Sequence, residues 1–316
     1  MLQMHCYTIC KKGIIVDSSF VVWPSIAGLV ILLIGLISVR RELAAAPGLD
    51  KLIALGPVFV AAPLAAFAGE HLAGARLLMQ GVPTWMPGRL FWAYFVGLAL
   101  LAAAFSLALK KYLRWSAPLL AVMFFLFVLS IHIPGLIEHP KDRIFWTIVL
   151  RDSSFAAGAL ALTGTILRQR DVQASNALIA VARICIAVPL IVFGVEHLLH
   201  PAFAPGVPLP KLTPTWVPAP FLWAYLVGAL LLVAGTCLLI NKWSRIAATY
   251  VGLAMTLLTL LLYVPIFAMD RGTAQLSEGL NYVGDTLLYG GTLLLLAAAM
   301  PKSNSASELG SRETVA

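Results

Sequence analysis

Long apolar segments, separated by short polar ones, follow one another along the whole chain. Each segment approaches the roughly 20 residues that a helix needs to cross a hydrocarbon core. A helix satisfies its own backbone hydrogen bonds there, whereas an open sheet does not. The pattern therefore predicts an all-α membrane protein with about nine transmembrane helices. The segments cover residues 20–39, 52–69, 90–109, 115–137, 144–167, 182–199, 220–241, 246–268 and 281–300.

Composition supports a bilayer as the main partner of this chain. Of the 316 residues, 60% are hydrophobic and only 11% are charged, against about a quarter charged in a typical soluble protein. The net charge is +8, but the Lys and Arg residues form small clusters between apolar segments instead of a basic stripe. That distribution excludes a nucleic-acid partner and is typical of the positive-inside rule.

The positions of the basic residues predict an orientation. With the amino terminus outside, the inner segments hold 13 Lys and Arg residues and the outer segments hold 8, with Arg151 inside a span. The first apolar segment is longer than the roughly 7–15 residues of a signal-peptide core, and Arg40 and Arg41 follow it directly. We therefore expect an uncleaved anchor, in the inner membrane of a bacterium, with the amino terminus out and the carboxyl terminus in.

The chain contains an internal repeat. Pro63-Leu-Ala-Ala-Phe-Ala-Gly-Glu-His-Leu72 recurs 126 residues later, with Glu-His retained. The motifs Pro-Thr-Trp-x-Pro and Trp-Ala-Tyr then recur at an offset of 131, so the second copy has five more residues after its Glu-His pair. Asp152 recurs as Asp285, at an offset of 133. Chance similarity between apolar segments does not align these polar residues in order.

Each copy has four predicted spans, so both copies enter the membrane in the same direction. This arrangement predicts two tandem parallel four-helix bundles related by a pseudo-twofold axis along the membrane normal. The predicted organisation is an amino-terminal segment with one anchor helix (1–51), a first repeat (52–170), a second repeat (171–300) and a polar disordered tail (301–316).

Polar residues of both copies are predicted to gather near the outer surface. The Glu-His pairs end the first span of each copy, and the aromatic motifs follow in the same outer loops. Asp152 and Asp285 would lie about 12 Å and about 6 Å into helices that also start outside. Ionisable groups at such depth indicate a functional site by default. The candidate ligand or proton pocket consists of Glu70, His71, Trp85, Trp92, Tyr94, His132, Arg151, Asp152, Glu196, His197, Trp216, Trp223, Tyr225 and Asp285.

The two copies are not expected to be equivalent. Arg151 occurs only in the first copy, where it needs a partner such as Asp152 or Glu70. His132 of the first copy corresponds to Tyr263 of the second. The first copy is therefore the better candidate for function.

Other interpretations of these residues stay open. The Glu-His pairs would also suit headgroup contacts or hydrogen bonds to a neighbouring span. His71 and His197 could ligate a haem across the pseudo-twofold axis, but two isolated histidines are weak evidence for that. No metal site is predicted. Cys6 and Cys10 would pair only if their end of the chain lies outside, and their spacing does not decide this.

The motifs Phe67-Ala-Gly-Glu-His-Leu72, Pro83-Thr-Trp-Met-Pro87, Trp92-Ala-Tyr94 and Asp152 resemble those of the DoxX-like membrane family. The resemblance implies a four-helix bundle for each copy. Some members of that family are membrane subunits of quinone-linked oxidoreductases, including a thiosulfate:quinone type. This chain differs in holding two copies and a leading span, where relatives commonly hold one copy, so the resemblance assigns no catalytic residue.

The sequence thus supports three hypotheses. The leading one is a small apolar ligand such as a quinone, bound in the pocket, with electrons carried by a redox partner protein because no flavin, haem or cluster motif is present. The second is a small-molecule transporter. The third is a membrane scaffold without catalysis of its own.

Overall fold

The computed structural model describes residues 19–302, except residues 209, 272 and 274. Nine helices in this part of the chain are long and apolar enough to cross a membrane, which confirms the predicted all-α membrane fold. Cys6, Cys10 and the tail from residue 303 lie outside the described residues. The nine helices are α1 (Ser19–Ala45), α2 (Gly56–Ala73), α3 (Arg89–Leu109), α4 (Leu113–Glu138), α5 (Arg143–Leu167), α6 (Val172–Leu199), α7 (Pro220–Leu239), α8 (Ser244–Met269) and α9 (Leu276–Ala299).

Two helices begin earlier than the apolar pattern predicts. Helix α6 starts at Val172 because the Asp171 side chain accepts a hydrogen bond from the Ala174 backbone N–H and caps a polar first turn. Helix α9 starts at Leu276, several residues before the apolar segment. Polar residues thus extend the helices beyond the apolar segments that identify them.

The helix ends define two sides of the bundle. We call the side with loops 74–88 and 200–219 the Pro-Thr-Trp face, and the side with turns 110–112 and 240–243 the basic face. Helices α5 and α9 both run from the Pro-Thr-Trp face to the basic face.

Local structures recur at the offset found in the sequence. Lys110 and Tyr112 have positive φ, and so do Asn241 and Trp243, 131 residues later. A π-helical turn, 128–132 in α4, recurs at 259–263 in α8. Each π turn stands just before a proline, whose missing N–H and ring disturb the regular ladder at that point. The two copies therefore share backbone details that a common apolar composition does not produce.

The first helix of each copy packs on the last helix of the other copy. Helix α2, the first of its copy, packs on α9, the last of the other copy, and α6 likewise packs on α5. Helices α5 and α9 cross between them, and a Cβ on Gly158 would lie 2.8 Å from the Thr292 side chain. A site built on the last helix of one copy therefore takes residues from the other copy.

The leading helix α1 packs mainly on α2 and α3 of the first copy and also touches α9. A Cβ on Gly69 of α2 would lie 2.8 Å from the backbone of Pro24, and a Cβ on Gly28 of α1 would lie 3.2 Å from α2. Small residues permit this approach between helices. At the place of Gly69, helix α6 has Val195, which is 42% exposed. The β-branched side chain does not permit the close approach that Gly69 allows, and no described helix packs on α6 in the way that α1 packs on α2.

Candidate functional site

A cluster of ionisable side chains lies buried where α4, α5 and α9 meet. Arg151 Nε lies 3.0 Å from Asp152 Oδ1, and Arg151 Nη1 lies 2.7 Å from Asp285 Oδ2. His132 Nε2 is 2.9 Å from Asp152 Oδ2. The guanidinium carbon of Arg151 also stands 5.6 Å from the centre of the Phe155 ring. One cation thus faces two carboxylates, so a proton on His132 or on a carboxyl group would complete the charge balance.

The cluster lies deeper than the sequence suggested. Asp152 and Asp285 are each nine residues past the first residue of their helix, which puts both about 14 Å from the helix start. The expected depth of about 6 Å for Asp285 is wrong because α9 begins at Leu276. The two carboxylates therefore lie at the same level and can share one arginine.

Glu70 is fully buried next to this cluster. Its side chain is 0% exposed, and neither carboxyl oxygen has a hydrogen-bond partner among the described residues. It interacts electrostatically with Asp285. An ionised, unpaired carboxylate in such surroundings is very costly, so this environment favours the protonated form of Glu70.

The corresponding Glu196 has a partner that Glu70 lacks. Arg143, at the start of α5, lies 2.5 Å from Glu196, and both side chains are 25% exposed. The residue of α9 that corresponds to Arg143 is Leu276, which packs in an apolar cluster with Leu78. The prediction that Glu196 belongs to the pocket is therefore wrong: its ion pair holds α5 and α6 together at the Pro-Thr-Trp face.

A small cavity of about 60 Å³ opens beside the ionic cluster. Arg151, Asp152 and Asp285 line it, together with His71. The Nδ1–H of His71 donates to the Ala93 carbonyl at 3.1 Å, so Nε2 of the neutral ring is an acceptor. The volume is enough for a few water molecules but not for a ligand of drug size.

Two apolar cavities lie between α3 and α4 and share a lining residue; together we call them the α3–α4 groove. Near the basic face, the groove is a cleft of about 450 Å³. Near the Pro-Thr-Trp face, it is a slot of about 130 Å³, and Met123 lines both parts. His71 and Phe127 line the slot and also the cavity beside the ionic cluster. His71 therefore stands at the junction of an apolar groove and a buried polar site.

Residue size accounts for the groove in the first copy. Helix α3 has Ala99 and Ala102 along the cleft, whereas the corresponding positions of α7 hold Leu230 and Val233. The small alanine side chains leave space between α3 and α4 in the first copy, where α7 of the second copy has larger residues.

In the second copy, a loop fills the place that corresponds to the site. The five extra residues let the loop turn inward, and residues 204–208 are buried. The Gly206 N–H donates to His197 Nε2 at 2.8 Å, and the Tyr263 hydroxyl donates to the Pro205 carbonyl at 2.9 Å. His197 and Tyr263, the counterparts of His71 and His132, thus hold a loop in place.

Haem ligation across the two copies does not fit this geometry. Both ring nitrogens of His197 are occupied, since Nδ1 donates to the Phe193 carbonyl at 2.6 Å and Nε2 accepts from Gly206. Among the described residues, no group of three or more His, Cys, Asp or Glu side chains could hold a metal ion.

Most of the predicted aromatic residues lie outside the pocket. Only Trp92 lines the slot, and its Nε1–H donates to the Pro87 carbonyl at 3.1 Å. The prediction is wrong for the others because their rings point away from the bundle, as in the aromatic belts of membrane interfaces. They are Trp85, Tyr94, Trp216, Trp223 and Tyr225, which are 43–71% exposed.

Several residues that line the cavity were not among the candidate pocket residues. Phe67, Phe127, Phe155 and Asn281 line the cavity. Phe67 belongs to the repeated motif, and a Cβ on Gly284 would come within 2.9 Å of its ring. Gly284 is the counterpart of Arg151, and a larger side chain at this position of the second copy would collide with Phe67. Asn281 corresponds to Ile148 of the first copy and belongs to no repeated motif, so no pattern in the sequence pointed to it.

Comparison of the chain with family models, with curated proteins and with solved structures finds no match.

Proposed function

We propose that this membrane protein binds a long-tailed quinone or a similar ring-and-tail lipid, and exchanges protons with it. The single observation that carries the proposal is the position of His71, where the α3–α4 groove meets the cavity beside Arg151 and Asp152. The groove would hold an apolar tail, and the slot beside Trp92 and Phe127 would hold the edge of one ring.

His71 has the chemistry to exchange a proton with such a ring. With Nδ1–H bonded to the Ala93 carbonyl, Nε2 would accept the hydroxyl proton of a quinol. The ionic cluster, which has two carboxylates for one arginine, would accept a further proton. The electrons of the quinol would leave to a redox partner protein. This role agrees with the resemblance of the chain to DoxX-like membrane subunits.

A titration of the purified protein with a tailed quinone tests the proposal. We expect His71→Phe to weaken binding by about tenfold, the effect of losing one hydrogen bond in a buried site. Glu70→Gln should reduce the pH dependence of binding, because an amide cannot exchange a proton. Glu196→Gln is the matched control and should bind like the wild type, since Glu196 pairs with Arg143 at the surface. No binding by the wild type, or equal binding by all variants, would contradict the proposal.

A second candidate is proton-coupled transport of a small molecule. The depth of Asp152 and Asp285, about 14 Å along helices of 24 and 25 residues, favours it, because transporters bind substrate near the midplane. Reconstituted liposomes would decide: proton-driven uptake that Asp285→Asn abolishes supports transport, and its absence with quinone binding intact supports the first proposal.

A further inference from the structure

A wide cavity on the basic face carries four cationic side chains. Its volume is about 400 Å³, and none of the described residues that line it is acidic. The cations come from the end of α5, from α6, from the start of α8 and from the residues after α9. They are Arg168, Arg183, Arg245 and Lys302.

Backbone carbonyls at helix ends hold the guanidinium groups in place. Arg168 donates to the Ala299 carbonyl at 2.8 Å, and Arg183 donates to the Leu238 and Leu239 carbonyls at the end of α7. Arg245 donates to the Ala297 carbonyl at 2.8 Å. These contacts use only some of the five N–H donors of each guanidinium, so donors remain for an anion in the cavity.

Among the described residues, Asp50 is the one carboxylate that forms ion pairs with these four cations. Asp50 lies 2.6 Å from Arg245 and 2.9 Å from Lys302, outside the cavity lining. Four cations against one carboxylate leave an excess of about three positive charges at physiological pH. An anion of matching charge would stabilise this arrangement.

The first copy has its own acid at the corresponding place. Lys110, which corresponds to Asn241 of the second copy, forms an ion pair with Glu42 at the end of α1. Among the described residues, no helix packs on the second copy in the way that α1 packs on the first. The basic face of the second copy therefore lacks the carboxylate that the leading helix supplies to the first.

Apolar side chains connect the cavity to the lipid surface. Ile246 lines the cavity and is 45% exposed. On α6, Val181, Ile184 and Val188 form an exposed apolar row, each at least 44% exposed. An anion that carries acyl chains would lay them along this row.

We propose that the cavity binds the phosphate group of an anionic membrane phospholipid. The cations would hold the phosphate, the cavity would hold the glycerol, and the α6 surface would hold the acyl chains. Basic pockets between transmembrane helices bind anionic lipid headgroups in this way. The lipid would supply the second copy with the negative charge that α1 supplies to the first.

Native mass spectrometry of the full chain tests the proposal, with phosphatidylglycerol and phosphatidylcholine offered together in equal amounts. We expect the wild type to retain phosphatidylglycerol preferentially. The double variant Arg183→Gln/Lys302→Gln should lower that retention about 25-fold, at about fivefold for each cation. The matched control Arg40→Gln/Arg41→Gln loses two exposed cations outside the cavity and should behave like the wild type.

Three outcomes would overturn the proposal: equal retention of both lipids by the wild type, an equal loss in the control, or displacement of the lipid by inorganic phosphate. The last would assign the cavity to a soluble anion. If the double variant does not fold, Lys302→Gln alone changes a side chain that is 72% exposed and should lower retention about fivefold.

Discussion

Arg151 Nη1 on α5 donates to Asp285 Oδ2 on α9 at 2.7 Å, so a buried ion pair joins the two copies of the repeat. Asp285 is the counterpart of Asp152, which contacts the same guanidinium through Nε. One arginine thus serves the repeated aspartate of both copies. Neither copy alone contains the complete cluster, and the duplication is part of the site itself.

Arg151→Met should destabilise the protein strongly. The substitution leaves two buried carboxylates without a cation, and breaking a buried pair in this way costs about 3–5 kcal/mol. Thermal unfolding in detergent would measure the loss.

The double variant Arg151→Met/Asp285→Asn is the control for that loss. It removes one of the two stranded carboxylates and should recover part of the stability. A melting temperature of Arg151→Met equal to that of the wild type would show that the pair does not hold the copies together.

Much of the fold was predictable because it follows from periodic features. The nine spans follow from the lengths of the apolar segments, and the recurrent turn at Tyr112 and Trp243 follows from the repeated motifs. Burial of the polar cluster was predictable in part. Arg151 inside a span required an acidic partner, for which the sequence offered Asp152 or Glu70; the structure pairs it with Asp152 and with Asp285.

The contacts between copies were not predictable from one copy at a time. Helix α2 packs on α9, α6 packs on α5, and α5 and α9 cross between them, which brings Asp285 to Arg151. No local pattern in the sequence indicates this contact. Glu196 has an ion-pair partner among the described residues and Glu70 has none, because α5 carries Arg143 where α9 carries Leu276. Both residues are far from the glutamates in sequence. Exposed aromatic rings resemble pocket residues in sequence, because both occur near helix ends.

Leu276→Arg should give Glu70 the partner that Glu196 has in the second copy. We expect the new arginine to stabilise the ionised carboxylate and to weaken quinone binding about tenfold, because Glu70 could no longer bind a proton readily. A proton-release assay during the titration would measure the change.

A double-mutant cycle with Glu70→Gln isolates this pair. Leu276→Arg should lower the free energy of unfolding more in the Glu70→Gln background than in the wild type, with a coupling energy of about 0.5–3 kcal/mol. Equal costs in both backgrounds would mean that the two side chains do not meet.

Stability in acid should depend on Asp50, which lies in the short helix Asp50–Ala54 between α1 and α2. Hydrogen bonds from Lys302 and Arg245 lower the pKa of Asp50 below its ordinary value of 3.8. Because the pKa is lower in the folded state, the carboxylate stabilises the fold above that value, and this contribution is lost as pH falls through the folded-state pKa.

The difference in Tm between the wild type and Asp50→Asn reports this contribution. It should be constant between about pH 5 and pH 7 and should shrink below about pH 4. A difference that stays unchanged down to about pH 3 would contradict the assignment.

Filling the α3–α4 groove should discriminate between ligands by tail length. Ala99→Leu/Ala102→Val places the side chains of the second copy along the cleft near the basic face. We expect affinity for a long-tailed quinone to fall at least tenfold, with little change for a tail-less analogue, because the slot at His71 is not altered.

The reverse change in the second copy is the control for the groove. Leu230→Ala/Val233→Ala removes the same side chains from α7, away from the proposed site, and should leave both affinities unchanged. Equal effects on long-tailed and tail-less ligands would place the tail outside the groove.

Photo-crosslinking with a tailed quinone that carries its reactive group on the ring tests the central claim most directly. Mapped by peptide mass spectrometry, the label should fall on the residues around the slot, in segments 82–96 and 123–131, and should disappear when unlabelled quinone competes. A label on α7 and α8, or one spread over all lipid-facing helices and insensitive to competition, would contradict the claim that His71 marks a quinone site.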